Sequence, residues 1–293
     1  MVKKKVLFII NPISGGKDKG AFPQMVSGLL NKEIFNEPEI AFSEYIGHSK
    51  EIAKRSIEEN FDTIIIAGGD GTINEVGSVI AGTNINLGVI PCGSGNGLAR
   101  HLKIPISSRR AVQNINGNKI LRIDAGIVND KYFFCTSGLG FDAWIGYLFA
   151  TSKKRGFWTY VTTALKEFYR YKAEEYEIVL DGKVIKQVAF LVTVANTAQY
   201  GNEAVIAPKA EVNDGKLDIC ILTPFPKFKM AEIGIRLFNK SIDRSVYLTT
   251  TKITEAIIKR ERKGVIHLDG EPMEMGDTLN IKVVPQCLNI IVP

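Results

Sequence analysis

An apolar, β-branched run that breaks into a glycine-rich turn constrains the fold of this chain more than any other stretch. Residues 64–76 are Ile-Ile-Ile-Ala-Gly-Gly-Asp-Gly-Thr-Ile-Asn-Glu-Val, which predicts a buried strand, a tight loop and then a helix. Glycines in the loop let the backbone come close to a ligand, and the N-terminus of the following helix attracts an anion. The stretch is therefore typical of a phosphate-binding loop.

Asp70 lies among these glycines, where a carboxylate would repel phosphate unless a metal ion or a proton transfer involves it. One interpretation therefore gives Asp70 a role with Mg²⁺ or as a general base. The alternative is a tight turn in which Asp70 caps the helix from Thr72 onward. The stretch by itself leaves both interpretations open.

Two other apolar runs, at 6–10 and 87–90, also end in glycine-containing loops, at 11–17 and 91–97. The remaining strand and helices of these βαβ units are predicted at 21–30, 38–45 and 49–58. Because parallel strands place their carboxyl ends at one edge of a sheet, we expect the loops to lie close together there. Ser43, at the end of the predicted strand 38–45, could add a hydroxyl.

Composition indicates an ordinary globular chain, with 293 residues, 45% hydrophobic content and a net charge of +6. No apolar run approaches the roughly 20 residues that span a bilayer, and the N-terminus is too short for a signal peptide, so we expect a cytoplasmic protein. Four scattered cysteines without a CxxC pair indicate core thiols. The modest charge, without a lysine-rich arm, argues against nucleic acid but suits an anionic membrane surface.

The second half of the chain is rich in short β-branched runs separated by turn signals, which predicts a β-sandwich. The predicted strands are 176–180, 184–194, 217–222, 247–258, 265–268, 278–284 and 288–292. The dipeptide Asp181-Gly182 predicts a hairpin turn, and a helix is predicted over 156–171. Basic and aromatic residues occur together at 153–160, as in a membrane contact or a solvated helix cap.

The chain resembles the diacylglycerol kinase and sphingosine kinase superfamily in three motifs, Asn-Pro-x-Ser-Gly-Gly at 11–16, Gly-Gly-Asp-Gly-Thr-x-Asn-Glu-Val at 68–76 and Pro-x-Gly-Ser-Gly-Asn at 91–96. NAD kinases share the second motif and phosphofructokinases a related one, so the third favours lipid kinases. Four later motifs stand where family members carry them, at 121–124, 138–142, 214–218 and 268–271.

The resemblance implies a two-domain enzyme. An α/β nucleotide-binding domain with a parallel sheet, similar to NAD kinase and phosphofructokinase, would cover 1–128, and a mainly antiparallel β-sandwich domain for the lipid substrate would cover 129–293, with the active site between them. ATP with Mg²⁺ would be the phosphoryl donor and a lipid hydroxyl the acceptor. The alternatives are a soluble-substrate kinase of the NAD kinase type and a nucleotide-binding regulator that has lost catalysis.

The resemblance also implies roles for individual residues. The nucleotide would be held by Asn11, Ser14, Gly15, Ser43, Gly68, Gly69, Asp70, Gly71, Thr72, Ile73, Asn74, Gly93 and Ser94. Either Glu271 or Asp70 would be the general base, and Asp124 would lie near the phosphate and its Mg²⁺. A structural metal would bind the Asp214 carboxylate together with backbone carbonyls near Glu211 and Lys216, whereas the residues alone favour a plain turn before a strand.

Two positions bear on the lipid. Bacterial diacylglycerol kinases usually carry Asp where this chain has Gly97, and Asp142 stands where sphingosine kinases contact the sphingoid head group, so an amine-bearing lipid is one candidate. Asp142 as a simple helix cap is the alternative. The acceptor would be a diacylglycerol, a sphingoid base or a ceramide-type lipid at a membrane surface, the inner face being the expected one. The sequence leaves a homodimer open.

Overall fold

A computed structural model of the protein describes residues 2–16, 18–151, 157–180 and 182–293, with the side chains of 157–160 left out. The chain forms two compact units, Met1–Ile123 with Gln286–Pro293, and Asp124–Pro285. The predicted hairpin residue Asp181 and the side chains of the basic and aromatic segment 153–160 lie outside the described residues. Among the described residues, no helix is long and apolar enough to cross a bilayer.

The described secondary structure alternates strands and helices first and is mainly strands afterwards. The α-helices are α1 (Phe22–Leu29), α2 (His48–Glu58), α3 (Asp70–Ile80), α4 (Gly97–His101), α5 (Ser108–Gly117), α6 (Phe141–Thr151), α7 (Phe157–Phe168) and α8 (Met230–Phe238). Short 3-10 helices are Ser14–Gly16, Lys227–Lys229 and Ile242–Arg244.

The described strands are distributed over both units. They are β1 (Val6–Ile10), β2 (Glu39–Phe42), β3 (Thr63–Gly68), β4 (Asn86–Pro91), β5 (Lys119–Val128), β6 (Lys131–Phe133), β7 (Thr136–Gly140), β8 (Glu174–Leu180), β9 (Lys183–Ala189), β10 (Leu191–Ala195), β11 (Gln199–Gly201), β12 (Ala204–Val205), β13 (Leu217–Leu222), β14 (Leu248–Ile253), β15 (Glu255–Arg260), β16 (Gly264–Leu268), β17 (Glu271–Met275) and β18 (Thr278–Val292).

The first unit is built on a parallel sheet in the order β2-β1-β3-β4. Every residue of β1 and β3 is buried, as expected for strands with helices on both faces. One face packs its aliphatic side chains against α5, with Ile65 and Ile90 meeting Val112 and Ile115 in one cluster. The predicted α/β fold with a parallel sheet is confirmed for this unit.

The division of the chain differs from the predicted one in two respects. The first unit ends at Ile123 rather than 128, and it takes back residues 286–293 from the C-terminus. The physical reason is pairing, because the last part of β18 lies parallel to β4, with Asn289 opposite Asn86 and Ile290 opposite Leu87. This single strand serves both units, since its first part pairs antiparallel with β15.

The second unit is a sandwich, which confirms the predicted antiparallel β-sandwich. One sheet has the order β14-β13-β10-β7-β16-β17, and a second layer contains β15, β8 and β9 with the first part of β18. Side chains from both layers share one core, with Leu139 and Val192 from the first and Ile178 and Ile258 from the second. Burial of such aliphatic side chains is the main stabilising contribution.

Two predicted strands are each two strands in the structure. The run 184–194 divides at Phe190 into β9 and β10, and the run 247–258 divides at Thr254 into β14 and β15. In both cases the two halves belong to different layers. A strand that changes sheet at a sandwich corner keeps its β-branched composition through the bend, so the sequence does not show the division.

The four cysteines are free thiols, as predicted. Cys135, Cys220 and Cys287 are buried and Cys92 is half-buried. Burial raises the pKa of the Cys220 thiol to about 12, which keeps it protonated near neutral pH.

The packing of the second unit can be tested by a substitution at Gly126, a glycine in β5. A Cβ added to Gly126 would overlap the ring of Phe133 on the paired strand β6. We expect Gly126→Ala to lower the free energy of unfolding by about 1–3 kcal/mol, measured by urea denaturation. Gly234→Ala on α8 is the control, since a Cβ there meets nothing within 4 Å, and it should stabilise slightly or be neutral. Equal stability of the two variants would contradict this packing.

Candidate functional site

The three glycine loops of the first unit lie side by side at the carboxyl edge of its sheet. Register places Ile10 of β1 opposite Ala67 of β3, and Gly68 of β3 opposite Pro91 of β4. The loops after these strands are therefore neighbours, and Cys92 N–H donates to the Gly68 carbonyl over 2.8 Å. The convergence predicted from the sequence is confirmed.

The Asp70 carboxylate ties the second loop to the third. Its two oxygens accept the N–H groups of Gly97 and Leu98 at 3.0 and 3.2 Å, at the start of α4. The helix that follows Asp70 begins at Asp70 itself, with Gly69 as its N-cap and without a side-chain cap. The alternative that Asp70 caps its own helix from Thr72 is therefore wrong, and the carboxylate instead caps the next helix.

Glycines at three positions are required by backbone approach rather than by turn geometry alone. A Cβ on Gly69 would lie 2.9 Å from the Cα of Gly93, and one on Gly93 would lie 2.7 Å from the Cα of Gly69. A Cβ on Gly15, where φ is +64°, would overlap the carbonyl oxygen of Cys92. The three loops thus contact one another through bare backbone.

Polar side chains complete the first loop. Asn11 donates from Nδ2 to Thr72 Oγ1 over 3.0 Å, which links the first loop to the first turn of α3. Lys19 is buried and donates to the carbonyls of Pro12 and Ser14. The Ser14 hydroxyl oxygen is buried and has no hydrogen-bond partner among the described residues. An unpartnered buried hydroxyl is uncommon in a native structure and here lies beside a glycine loop.

Other predicted nucleotide residues take different positions. Ser43 is buried beyond β2, where its N–H donates to the Ile10 carbonyl over 2.9 Å, so it lies beside the first loop. Ile73 is buried in α3 and its N–H donates to the Gly69 carbonyl. Ile73 therefore offers a ligand neither its side chain nor its amide. Glu75 accepts the Gly47 N–H at the start of α2 and has a structural role.

The edge of this sheet fits a phosphate group. The absence of side chains at Gly15, Gly69 and Gly93 lets the three loops meet at one edge of the sheet, and glycine loops of this kind let backbone approach a ligand. The first N–H groups of α3 have no intrahelical partner, and the positive end of its dipole favours negative charge. Ser14 adds a hydroxyl whose hydrogen-bonding capacity is not used by the described residues. These features together support binding of a phosphorylated ligand.

In the second unit, Asp269 and Gly270 form the turn between β16 and β17, with φ of 51° and 87°. The Asp269 carboxylate accepts the N–H groups of Phe134, Cys135 and Thr136 at 2.6–3.1 Å. This anchors the hairpin to the segment before β7. Glu271 follows as the first residue of β17 and its side chain is exposed.

Asp142 is the centre of a buried polar network. Its Oδ2 accepts Thr193 Oγ1 at 2.8 Å and Tyr200 Oη at 3.2 Å, and lies 3.4 Å from His267 Nε2. Its Oδ1 accepts the Ala143 N–H at 2.7 Å in the first turn of α6. Because α6 begins at Phe141, Asp142 is the second residue of the helix rather than its N-cap, so the cap alternative is wrong. The carboxylate is surrounded by donors that belong to the protein itself.

One buried nitrogen of the Asp142 network lacks a hydrogen-bond partner among the described residues, and the space next to the Asp142–His267 pair is filled. His267 Nδ1 has no hydrogen-bond partner among the described residues. Gly138 lies under the pair, and a Cβ there would overlap Asp142 Oδ2. Glycine is therefore the residue that allows the carboxylate and the imidazole to meet.

Asp124 and the turn at Asp214, which were predicted separately to lie near a metal, are in direct contact. The buried Asp124 carboxylate accepts the Gly215 N–H at 2.7 Å, and its own N–H donates to Val212. Asp214 accepts the Lys216 N–H at 3.0 Å and forms an ion pair with Lys252 at 2.5 Å.

Charge at this turn is partly neutralised by the protein. Lys252 Nζ also lies 3.4 Å from Asp218, and burial raises the pKa of Asp218 although the lysine acts in the opposite direction. Among the described residues, no group of three His, Cys, Asp or Glu side chains is placed to hold a metal. The predicted set, with Glu211 and Lys216 contributing carbonyls, contains only one such side chain, so metal binding here stays a prediction.

Several residues of these sites were not found from the sequence. Lys19, Thr193, Tyr200 and His267 lie outside the motifs, and only burial and long-range contacts reveal them. Asp269 lies in a quoted motif, but its three backbone bonds join residues more than 130 positions apart. Nothing in the sequence near these residues indicates such a contact.

The Gly15 contact gives a prediction with a matched control. Gly15 and Gly16 have nearly equal φ, +64° and +65°, but a Cβ clashes with backbone only at Gly15 and meets nothing within 4 Å at Gly16. Both Ala variants carry the cost of a left-handed backbone. We expect Gly15→Ala alone to weaken binding of a fluorescent ATP analogue, by about tenfold or more. Equal affinities in the two variants would contradict the role of loop contact.

Comparison with known proteins identifies both units. Residues 5–128 match the family model described as the diacylglycerol kinase catalytic domain, and residues 137–292 match the YegS C-terminal NAD kinase beta sandwich-like domain. The first match covers all three glycine loops. The second covers the Asp142 network, the Asp214 turn and Glu271.

Named relatives and a solved structure agree with these matches. A diacylglycerol kinase of Staphylococcus aureus is 30% identical over 80% of this chain and 74% of its own length. A diacylglycerol kinase of Bacillus subtilis is 29% identical over 92% of this chain and 90% of its own. A crystal structure of a diacylglycerol kinase from Bacillus anthracis, 22% identical, has a TM-score of 0.76 and covers 99% of this chain and 97% of that one, which shows the shared fold. With the two family models matched in order over 5–128 and 137–292, and with a relative that is 30% identical, the chain belongs to the diacylglycerol kinase family of lipid kinases.

Proposed function

We propose that this protein transfers the γ-phosphate of ATP to the hydroxyl group of a lipid, with diacylglycerol as the first candidate. The observation that carries the proposal is the contact of three bare glycine loops at the sheet edge, beside the unmatched Ser14 hydroxyl. A soluble-substrate kinase of the NAD kinase type would share the loop at 68–72. The third loop and the family matches to both units support a lipid acceptor instead.

The first unit holds the nucleotide in this proposal. ATP would supply the phosphoryl group, and Mg²⁺ would neutralise the charge that develops during transfer. The first-turn N–H groups of α3, the loop backbone and the Ser14 hydroxyl bind and orient the phosphates. Asp70 keeps the loops after β3 and β4 in register through Gly97 and Leu98. Positioning of this kind provides much of the rate acceleration in phosphoryl transfer.

Glu271 is the better candidate for the general base. None of the described residues donates a hydrogen bond to its carboxylate, which is exposed at the start of β17. The Asp70 oxygens by contrast already accept two backbone N–H groups. A base has to offer a lone pair within hydrogen-bond reach of the hydroxyl. We therefore assign proton removal to Glu271 and loop positioning to Asp70.

The Asp142 network favours an acceptor without an amine. A carboxylate has about four lone-pair sites, and the protein already directs Ala143 N–H, Thr193, Tyr200 and His267 at Asp142. A sphingoid amine would have to displace one of them. Diacylglycerol makes no such demand, and relatives named diacylglycerol kinase support this choice. Gly97 then carries no information about the substrate.

The experiment that tests the proposal offers several acceptors in parallel. Purified protein is given labelled ATP and Mg²⁺ with diacylglycerol, a sphingoid base, ceramide and NAD, the lipids in mixed micelles. We expect label in diacylglycerol. Label in the sphingoid base would contradict our interpretation of Asp142 but keep the lipid kinase. Label in NAD alone, or in no acceptor, would overturn the proposal.

The assignment of Glu271 is tested by one substitution and a control on the same strand. Glu271→Gln keeps the side-chain shape but removes the base, so we expect kcat to fall by about 10²–10⁴-fold. Glu274→Gln, three residues further along β17, removes only an exposed ion pair with Lys263 and should leave turnover unchanged. Undiminished turnover in Glu271→Gln would exclude this residue as the base.

A further inference from the structure

Helix α8 of the second unit is apolar on two sides, and the core covers only one. On the inner side, Ile233 is buried and packs with Met230 and Leu237 in an aromatic and aliphatic cluster. On the outer side, Phe228, Ile235 and Phe238 are 80%, 63% and 46% exposed. Their spacing of seven and three residues places them on one helical face, since the 3-10 turn Lys227–Lys229 leads directly into α8.

The outer apolar face extends beyond the helix. Val246, in the segment that follows, is 90% exposed. Tyr169 at the end of α7 is also exposed, with Lys227 Nζ 5.3 Å from its ring centroid. Single exposed apolar side chains are ordinary, but several large ones in one region mark a surface that another body covers. We call the side chains of Phe228, Ile235, Phe238 and Val246 the α8 surface.

Positive charge that the protein does not neutralise surrounds the α8 surface. None of the described residues forms an ion pair with Lys227, Lys240 or Arg244. The two acidic side chains of residues 227–246, Glu232 and Asp243, already form ion pairs. Glu232 pairs with Lys229 at 2.6 Å and with Arg236 at 3.0 Å, and Asp243 pairs with Lys209 at 3.4 Å.

The other basic group of this unit, at 259–263, is used within the protein. Lys259 pairs with Glu177 at 2.9 Å. Arg260 donates to the carbonyl oxygens of Gly264, Met275 and Gly276. This group lacks an apolar face of its own and is explained as a charged turn. At the α8 surface, by contrast, large exposed apolar side chains lie next to lysine and arginine side chains that form no ion pair with the described residues.

Two candidate partners for the α8 surface, a second copy of this chain and an anionic bilayer, can be compared by their charge. A second copy of this chain, joined through the same face about a two-fold axis, would bring the like charges of Lys240 and Arg244 together without an acid to pair them. An anionic bilayer would accept the apolar side chains among its acyl chains and the cations among its headgroups. The charge pattern fits the second occupant.

We infer that the α8 surface docks this protein on an anionic lipid bilayer, an inference that rests on the proposed lipid acceptor. The inner side of α8 packs on a cluster that contains Phe168, Phe190 and Phe225. Phe141 packs against the same cluster and directly precedes Asp142. A bilayer on the α8 surface would therefore lie over an apolar layer that reaches to the Asp142 network.

Vesicle co-sedimentation of the full chain tests this surface. The vesicles are phosphatidylcholine alone or with about a third phosphatidylglycerol. One variant, Phe228→Ser with Ile235→Ser, removes apolar contact, and a second, Lys240→Glu with Arg244→Glu, reverses charge. The controls, Val184→Ser and Lys183→Glu, change exposed residues of β9. Melting temperatures and oligomeric state are measured for each variant.

We expect the apolar variant to bind anionic vesicles about tenfold or more weakly. The charge variant should lose about fivefold or more per side chain, and only when phosphatidylglycerol is present. Both controls should bind like the wild type. With diacylglycerol in short-chain, detergent-dispersed form, all four variants should turn over normally, since docking is then bypassed.

Three results would overturn the inference. They are wild-type protein that does not sediment with anionic vesicles, variants that sediment unchanged, and an apolar variant that turns a dimer into a monomer while its vesicle binding stays the same. Failure of the proposed function looks different. In that case no lipid is phosphorylated even in dispersed form, while the variants still lose vesicle binding, and the docking surface stands.

Discussion

The first unit depends on one carboxylate that binds backbone rather than ligand. Asp70 accepts the N–H groups of Gly97 and Leu98 and so holds the loop after β4 against the loop after β3. With that link in place, Gly69 and Gly93 can meet through bare backbone, and Gly15 can pass over Cys92. The N-terminus of α3 and the Ser14 hydroxyl then face the same edge of the sheet. The position of a negative side chain among the glycines of these loops is explained by its two bonds to backbone N–H groups.

In the second unit, too, a carboxylate binds backbone N–H groups and fixes a turn. Asp269 gathers the N–H groups of Phe134, Cys135 and Thr136, and this fixes the turn from which Glu271 projects. Charge-assisted hydrogen bonds of this kind are shorter and stronger than those between neutral groups. In each unit a carboxylate that accepts backbone N–H groups thus fixes a turn or loop. Ser14 and Glu271, to which we propose roles with the phosphate and the acceptor hydroxyl, have no such bonds among the described residues.

The buried strands of the first unit and the loops that follow them were predictable from local sequence, for a physical reason. Fully buried parallel strands give continuous β-branched runs, and glycine loops mark where backbone has to come close, so β1, β3 and β4 and their loops were found within a residue or two. Contacts between distant residues were not predictable in this way. The return of β18 to the first sheet, the division of two β-rich runs at Phe190 and Thr254, and the donors around Asp142 all arise from pairing over long sequence separations.

We propose that phosphoryl transfer depends on loops that Asp70 holds together. The most direct measurement is amide hydrogen exchange at Gly97 and Leu98 in wild type and in Asp70→Asn, together with transfer of labelled phosphate from ATP to diacylglycerol. We expect the variant to lose protection at both amides and to lose transfer with it. Protection and turnover that both remain at wild-type levels in Asp70→Asn would contradict it.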